Sequence, residues 1–326
     1  MSARSITKVN RRSFIRRAGA GLVAGAAAPA LMDLDYLRAA MANSNSPTGA
    51  IRQFYASLSD EQLLTLCFPF DDRRRQRINA NWHITEPIIG EEFYSDEQRV
   101  LINQILKNIT SEDGYERLVQ QMDEDSGGVE SYSVAIFGDP ENGKFEWEMT
   151  GRHLTLRADG DSVDRTAFGG PLVYGHGEEN PTENMYYAQT QQVNEVFKAL
   201  DAKQAEAALL PKAPRETKVR IQGPEGEFAG VHVADLSSDQ QELVESTVKN
   251  LLAPYRAEDV NEVMSILKAG GGLDSLRMAF YQQGDLNDDR VWDMWRIEGP
   301  SFVWNFRGSP HVHAYINVSE MVDPRA

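Results

Sequence analysis

The feature that most restricts what this chain can fold into is a helix-start signal that recurs at one fixed spacing. Leu58-Ser59-Asp60-Glu61-Gln62, Tyr94-Ser95-Asp96-Glu97-Gln98, Leu200-Asp201-Ala202-Lys203-Gln204 and Leu236-Ser237-Ser238-Asp239-Gln240 each place an apolar residue before a Ser or Asp and a Gln three residues after it. That is a hydrophobic staple followed by a capping box, in which the cap side chain and the Gln amide satisfy backbone N–H groups that a helix start leaves unpaired. Ser59 to Ser95 and Asp201 to Ser237 are both 36 residues. Leu243, Val244, Thr247, Val248, Leu251 and Leu252 continue the last start at helical period.

Other landmarks recur in the same order. Gly127-Gly128 corresponds to Gly270-Gly271-Gly272, Val134-Ala135-Ile136-Phe137-Gly138 to Met278-Ala279-Phe280-Tyr281, and Trp147 with Gly151 to Trp295 with Gly299, at offsets of 142 to 148 residues. The implied unit is two helix pairs, a strand, a polar turn, and a strand hairpin broken at Gly151 or at Gly299-Pro300. Phe145, Trp147 and Met149 share one strand face, as do Phe302, Trp304 and Phe306. The expected architecture is α+β: two repeated helix-pair plus antiparallel-hairpin halves related by pseudo-twofold symmetry, rather than a doubly wound parallel sheet. The halves span about 48–158 and 188–326 of a single duplicated domain. Between them, about 159–187 is rich in Gly, Pro, Asn and Asp and too long for a simple linker, so it is the candidate functional loop.

Ahead of this domain, Asn10-Arg11-Arg12-Ser13-Phe14-Ile15-Arg16 runs into the charge-free, Ala/Gly-rich segment Ala18 to Leu31. This is the form of a twin-arginine export signal. Its apolar run of about 14 residues is short of the ~20 that span a bilayer, so no stable membrane anchor is expected. Ala40-Met41-Ala42 offers a cleavage site before the polar linker 43–47, giving a signal peptide of 1–42 and a periplasmic or extracellular product that meets the twin-arginine export machinery. That route carries folded chains and is compatible with a metal loaded in the cytoplasm. Removing residues 1–42 takes away seven Lys/Arg and two acids and moves the formal charge from −16 to −21. Such a surface repels phosphate backbones, which argues against nucleic-acid partners. Arg73-Arg74-Arg75-Gln76-Arg77, following Asp71-Asp72, reads as a neutralised surface patch. The single cysteine, Cys67, can form no internal disulfide and reads as a buried structural thiol.

Chemistry concentrates on histidine. In Pro310-His311-Val312-His313, residues i and i+2 of a strand share one face with Cα atoms about 6.7 Å apart, so both imidazoles can reach one metal. His153 is the third candidate ligand, because the repeat sets it against Ser301 on the strand preceding His311. Ligating nitrogens of such a site would lie roughly 3 to 4.5 Å apart, and three imidazoles suit a divalent transition metal such as Zn, Cu or Fe. His176, in the Gly-rich stretch Gly169 to Glu179, is the candidate catalytic residue, as a general base or movable ligand. His83 is expected to pack beside Trp82 in the core. The chain carries no Gly-x-Ser-x-Gly, Walker or Gly-x-Gly-x-x-Gly motif, and Lys144 reads as part of a turn.

On Ser95-Asp96-Glu97-Gln98-Arg99, Val134 to Gly138, Gly151-Arg152-His153-Leu154-Thr155-Leu156, Arg296-Ile297-Glu298-Gly299-Pro300 and His311-Val312-His313, the chain resembles an uncharacterised bacterial family, domain of unknown function 3500, over most of its mature length. The resemblance implies that the histidine segments belong to one site and names no reaction. The family pattern has two adjacent histidines where this chain has Arg152-His153, and an acid where it has Asn317, so the resemblance does not carry over a carboxylate behind the ligands. The sequence thus points to an exported metalloprotein, a metal-dependent hydrolase or oxidoreductase of unknown small substrate. The alternative is a non-catalytic extracytoplasmic module with structural histidines.

Overall fold

A computed structural model of the chain describes residues 46–323. The leader and Asn43 to Asn45 of the linker lie outside the described residues. Ser46 and Pro47 open the first helix, as N-cap and first helical residue.

All four sequence-predicted capping boxes form. Ser59, Ser95, Asp201 and Ser237 each accept the N–H of the Gln three residues on, and each Gln side chain returns the bond. They start helices α2 (Asp60–Leu66), α3 (Asp96–Ile109), α6 (Ala202–Ala208) and α7 (Ser238–Leu252). The other helices are α1 (Pro47–Ser57), α4 (Glu112–Ser126), α5 (Tyr187–Lys198) and α8 (Ala257–Ala269). The equally spaced caps meet in pairs. Gln62 and Gln98 exchange amide hydrogen bonds at 2.8 and 2.9 Å, and Gln204 and Gln240 do the same at 3.2 and 2.9 Å. Each pair locks two helix starts side by side.

Eleven strands make one mixed sheet: β1 (Cys67–Phe68), β2 (Ser133–Gly138), β3 (Phe145–Gly151), β4 (Leu154–Ala158), β5 (Leu172–His176), β6 (Leu209–Leu210), β7 (Val231–His232), β8 (Arg277–Tyr281), β9 (Met294–Gly299), β10 (Phe302–Arg307) and β11 (Val312–Val318). Their order is β1-β2-β3-β4-β5-β11-β10-β9-β8-β6, with β7 beside β8. Only β1 with β2 and β6 with β8 run parallel. The α+β class with mostly antiparallel pairing agrees with the sequence reading.

The stretch 159–187 departs from it, because β5 lies inside and pairs with β4 and β11 near the middle of the sheet. A strand buried on both faces carries no alternation, and Leu172-Val173-Tyr174 between glycines gives none. Both faces of the sheet are in fact covered. Trp147, Met149, Trp295, Phe302 and Trp304 pack with helix residues such as Ile102, Leu106, Val244 and Ile266. On the other face, Ala135 and Phe137 meet Trp82 and Ile84, and Val173, Val303 and Tyr315 meet Ala80, Val219 and Ile221. These covering residues come from two excursions without α-helix, 69–94 and 211–230.

Buried ions fasten the first excursion. Arg75 reaches Glu146 at 2.8 Å, and the buried Arg157 bonds Glu146 at 2.6 Å and the carbonyls of Arg75 and Arg77. The arginine cluster is therefore only partly a surface patch: Arg74 pairs outside with Asp72 at 2.8 Å, while Arg75 points inward. His83 is exposed beside the buried Trp82, since alternate residues of this extended segment point opposite ways. Cys67 is half-buried, its thiol pushed up to about 12 by burial. Among the described residues no helix is long and apolar enough to cross a membrane.

Candidate metal centre

The three candidate ligands come from a tight turn and a strand start, at one set of strand ends in the middle of the sheet. Gly151 pairs with Leu154, so Arg152-His153 is a two-residue turn and not strand. His153 lies there in the left-handed region at φ 56, a conformation that histidine tolerates more often than most residues. Local bonds fix it: its N–H donates to the carbonyl of Ala80, Arg152 bridges to Asn81, and the Tyr132 hydroxyl donates to the carbonyl of Arg152 at 2.9 Å. His311 directly precedes β11. His313 lies in it, opposite Gly175 of β5 and Arg307 of β10.

The imidazoles form a nearly equilateral triangle, with ring centroids 5.0 Å apart for His153 and His311 and 4.9 Å for the other two pairs. One potential ligand nitrogen of each lies within 4.8 Å of the other two. Nε2 of His311 and Nε2 of His313 are 3.1 Å apart, close to the separation of two nitrogens bound at about 2.0 to 2.1 Å to one tetrahedral ion.

Carboxylates stand behind two of the rings. Asp125, in the last turn of α4, takes Nδ1 of His153 at 2.8 Å through Oδ2, while its Oδ1 accepts the N–H of Gly177 at 2.8 Å. Glu216, in the second excursion, lies 3.3 Å from Nδ1 of His313. A carboxylate on Nδ1 fixes the tautomer and leaves Nε2 for a metal.

Burial opposes charge on Asp125, but the hydrogen bond and charge of His153 outweigh it and hold the carboxyl below its ordinary range. Glu216 is lowered too, against burial, by His313 and then Arg307. Burial, then His313 and Arg307, push His311 down to about 4, and burial lowers His313 in spite of Glu216. Both rings are thus neutral near neutral pH, the form that coordinates metal. With Nδ1–H of His313 given to Glu216, its Nε2 lone pair faces Nε2 of His311. A proton or a cation has to lie between them, and Nδ1 of His311 is buried without a hydrogen-bond partner among the described residues in either case. The donor set fits a divalent transition metal.

His176 does not join this cluster. It ends β5 opposite Val312, whose side chain packs in the helix-side core, so its ring faces the helices. Its Nε2 lies 2.8 Å from Glu124, and its Nδ1 accepts the Met185 N–H at 3.4 Å. In this position it holds the end of α4, and hence Asp125, against β5.

Asp125 and Glu216 were not singled out in the sequence. A signal existed for the first: α4 ends in Asp123-Glu124-Asp125 with no basic residue in its last turn, which opposes the helix dipole. Glu216, in irregular chain, carries none.

The family described as Protein of unknown function (DUF3500) matches residues 42–319. The chain belongs to that family. No curated protein and no solved structure matches it.

Proposed function

We propose that this member of the family is an exported metalloenzyme that holds one divalent transition metal, Zn, Cu or Fe, on His153, His311 and His313. The observation that carries the reading is the pairing of convergent imidazoles with carboxylates: His153 with Asp125 at 2.8 Å and His313 with Glu216 at 3.3 Å. Bound there, such an ion supplies an open coordination position at which water or a substrate oxygen is polarised, or a redox centre. The chain's own groups do the positioning. The carboxylates hold the rings and raise their basicity, and His176 with Glu124 steadies the helix that bears Asp125. Hydrolysis is favoured over redox chemistry by the three neutral nitrogen donors, a set that serves metal-bound water well.

The leader belongs to the same reading, since a twin-arginine signal exports a folded chain with its ion in place. Duplication belongs to it as well. Two reciprocal Gln pairs, each 36 residues apart, and a strand order of β1 to β5 answered by β6, β8, β9, β10 and β11 support two copies of one unit related by pseudo-twofold symmetry.

Elemental analysis of protein purified from the export compartment tests the metal. About one transition-metal equivalent per chain is the expected result, lost with His313→Ala while the far-UV circular dichroism stays unchanged. Metal-free protein that also takes up neither Zn2+ nor Co2+ would overturn the proposal in favour of a binding module with structural histidines.

A further inference from the structure

On the face of the sheet that carries His313, a cleft of about 190 Å3 opens between β10 and the second excursion, lined by Pro214, Glu216, Gln283, Met294, Asn305 and Arg307. Met294, Arg307 and His313 are successive cross-strand partners, so their side chains share that face. Two of the lining residues also surround the histidines. Arg307 donates from Nη2 to the carbonyl of His311 at 3.3 Å, and its Nε lies 3.2 Å from Glu216. Among the described residues no hydrogen bond engages its Nη1, and its buried Nε lacks one of good geometry.

The acid in the cleft is already committed, because Glu216 faces both His313 and Arg307. With a divalent ion on three neutral imidazoles, the ion together with Arg152 and Arg307 exceeds Asp125 and Glu216 by about two positive charges. A local positive site on a chain of formal charge −16 discriminates. Polyanions are repelled by the surrounding surface, while a small anion can enter. The volume corresponds to about six waters at roughly 30 Å3 each, which a short carboxylic acid would displace. Pro214 and Met294 offer apolar wall for its alkyl end, and the Gln283 and Asn305 side chains also line the cleft.

We propose that this cleft is the subsite for a small organic carboxylate, anchored on the guanidinium of Arg307 beside the histidine centre. The proposal rests on the reading of that centre as a metal site. Calorimetric titration of metal-free and Zn2+-loaded protein with butyrate, and with butyramide as its uncharged isostere, tests it. Butyrate is expected to bind at least about tenfold more tightly than butyramide, and Arg307→Gln to lose at least about tenfold of that affinity, as expected for a charge-assisted bond. Ala213 also lines the cleft, and Ala213→Trp, which fills it without removing a charge, should abolish butyrate binding and leave Zn2+ uptake intact. Equal binding of butyrate and butyramide, no binding of butyrate, or unchanged butyrate affinity in Ala213→Trp would overturn it. Failure of the metal reading is separate: it appears as absent Zn2+ uptake, and by removing the excess of positive charge it overturns the subsite as well, whereas Zn2+ uptake without butyrate binding overturns the subsite alone.

Discussion

At the tip between β3 and β4, Gly151 pairs with Leu154 across Arg152-His153; at the tip between β9 and β10, Gly299 pairs with Phe302 across Pro300-Ser301. Both glycines leave room for the residue that follows a short 3-10 turn. A Cβ at 151 would lie 2.2 Å from the Tyr132 ring, and one at 299 would lie 2.9 Å from the Leu276 side chain. Beyond that the tips diverge. Tyr132 has a hydroxyl that pins Arg152, and α4 ends in Glu124 and Asp125, which draw His176 and His153. Leu276 has none, and α8 ends at Lys268 and Ala269, so Ser301 turns back to donate to the carbonyl of Ile266 at 3.2 Å. One backbone design thus gives a presented ligand or a closed cap, depending on what the adjacent helix end offers. Acids at a helix C-terminus cost about 0.3 to 1 kcal/mol each, and the hydrogen bonds of Asp125 to His153 and Gly177 offset that.

The largest expected effect follows from making the first tip like the second. His153→Ser should abolish Zn2+ binding by the otherwise intact protein, whereas Asp125→Asn, which keeps the ligand and loses its charged support, should weaken binding by about 10- to 100-fold. Competition titration with a chromophoric chelator reads both. Equal losses in the two variants would make Asp125 a ligand or the cluster a purely structural network.

A smaller contrast separates the two Gln locks. Gln62 and Gln98 are buried, while Gln204 and Gln240 are partly open to solvent. Gln62→Ala leaves one amide hydrogen of the buried Gln98 and the carbonyl of Phe93 without a partner, and should cost about 1 to 3 kcal/mol. Gln204→Ala leaves groups that water can reach, and should cost no more than about 1 kcal/mol. Urea denaturation of the two variants decides this, and equal costs would show that burial does not distinguish the locks.

These contrasts explain what was legible in the sequence. Capping boxes are local chemistry across three residues, so all four were readable, whereas the side-chain exchange that pairs them across 36 residues was not. The His311 and His313 pair was readable from strand periodicity, and His153 from the register of the two hairpins, although its place on a left-handed turn was not. β5 was hidden because burial on both faces erases alternation. The placement of His176 went with it, since a residue expected on a loop sits instead at the end of a central strand with both ring nitrogens engaged. Glu216 was invisible for a different reason. It meets His313 across 97 residues from a segment without regular structure, and nothing local marks such a partner.

The last contrast concerns the far ends of the strands that leave the two tips, and its effect vanishes at acid pH. Arg307 ends β10 facing Glu216, but among the described residues Asp159, just after β4, pairs with no cation. Its carboxylate accepts the Val163 N–H at 2.7 Å, yet burial, with Glu146 and Asp161 adding to it, pushes it up to about 6. In the unfolded chain the group titrates near 3.9. The folded state therefore binds the proton more tightly. The stability this group contributes is complete below about pH 4, declines as pH rises, and is lost once pH passes about 6. Asp159→Asn keeps an acceptor for Val163 and removes the titration. Relative to the parent chain it should gain on the order of 1 to 2 kcal/mol at pH 7.5 and close to nothing at pH 4. Comparing urea midpoints of the two proteins at both pH values cancels every other titrating group. A variant less stable than its parent by the same amount at both would mean that Asp159 serves only as a hydrogen-bond acceptor, and the contrast with Arg307 would reduce to the loops that follow the two strands.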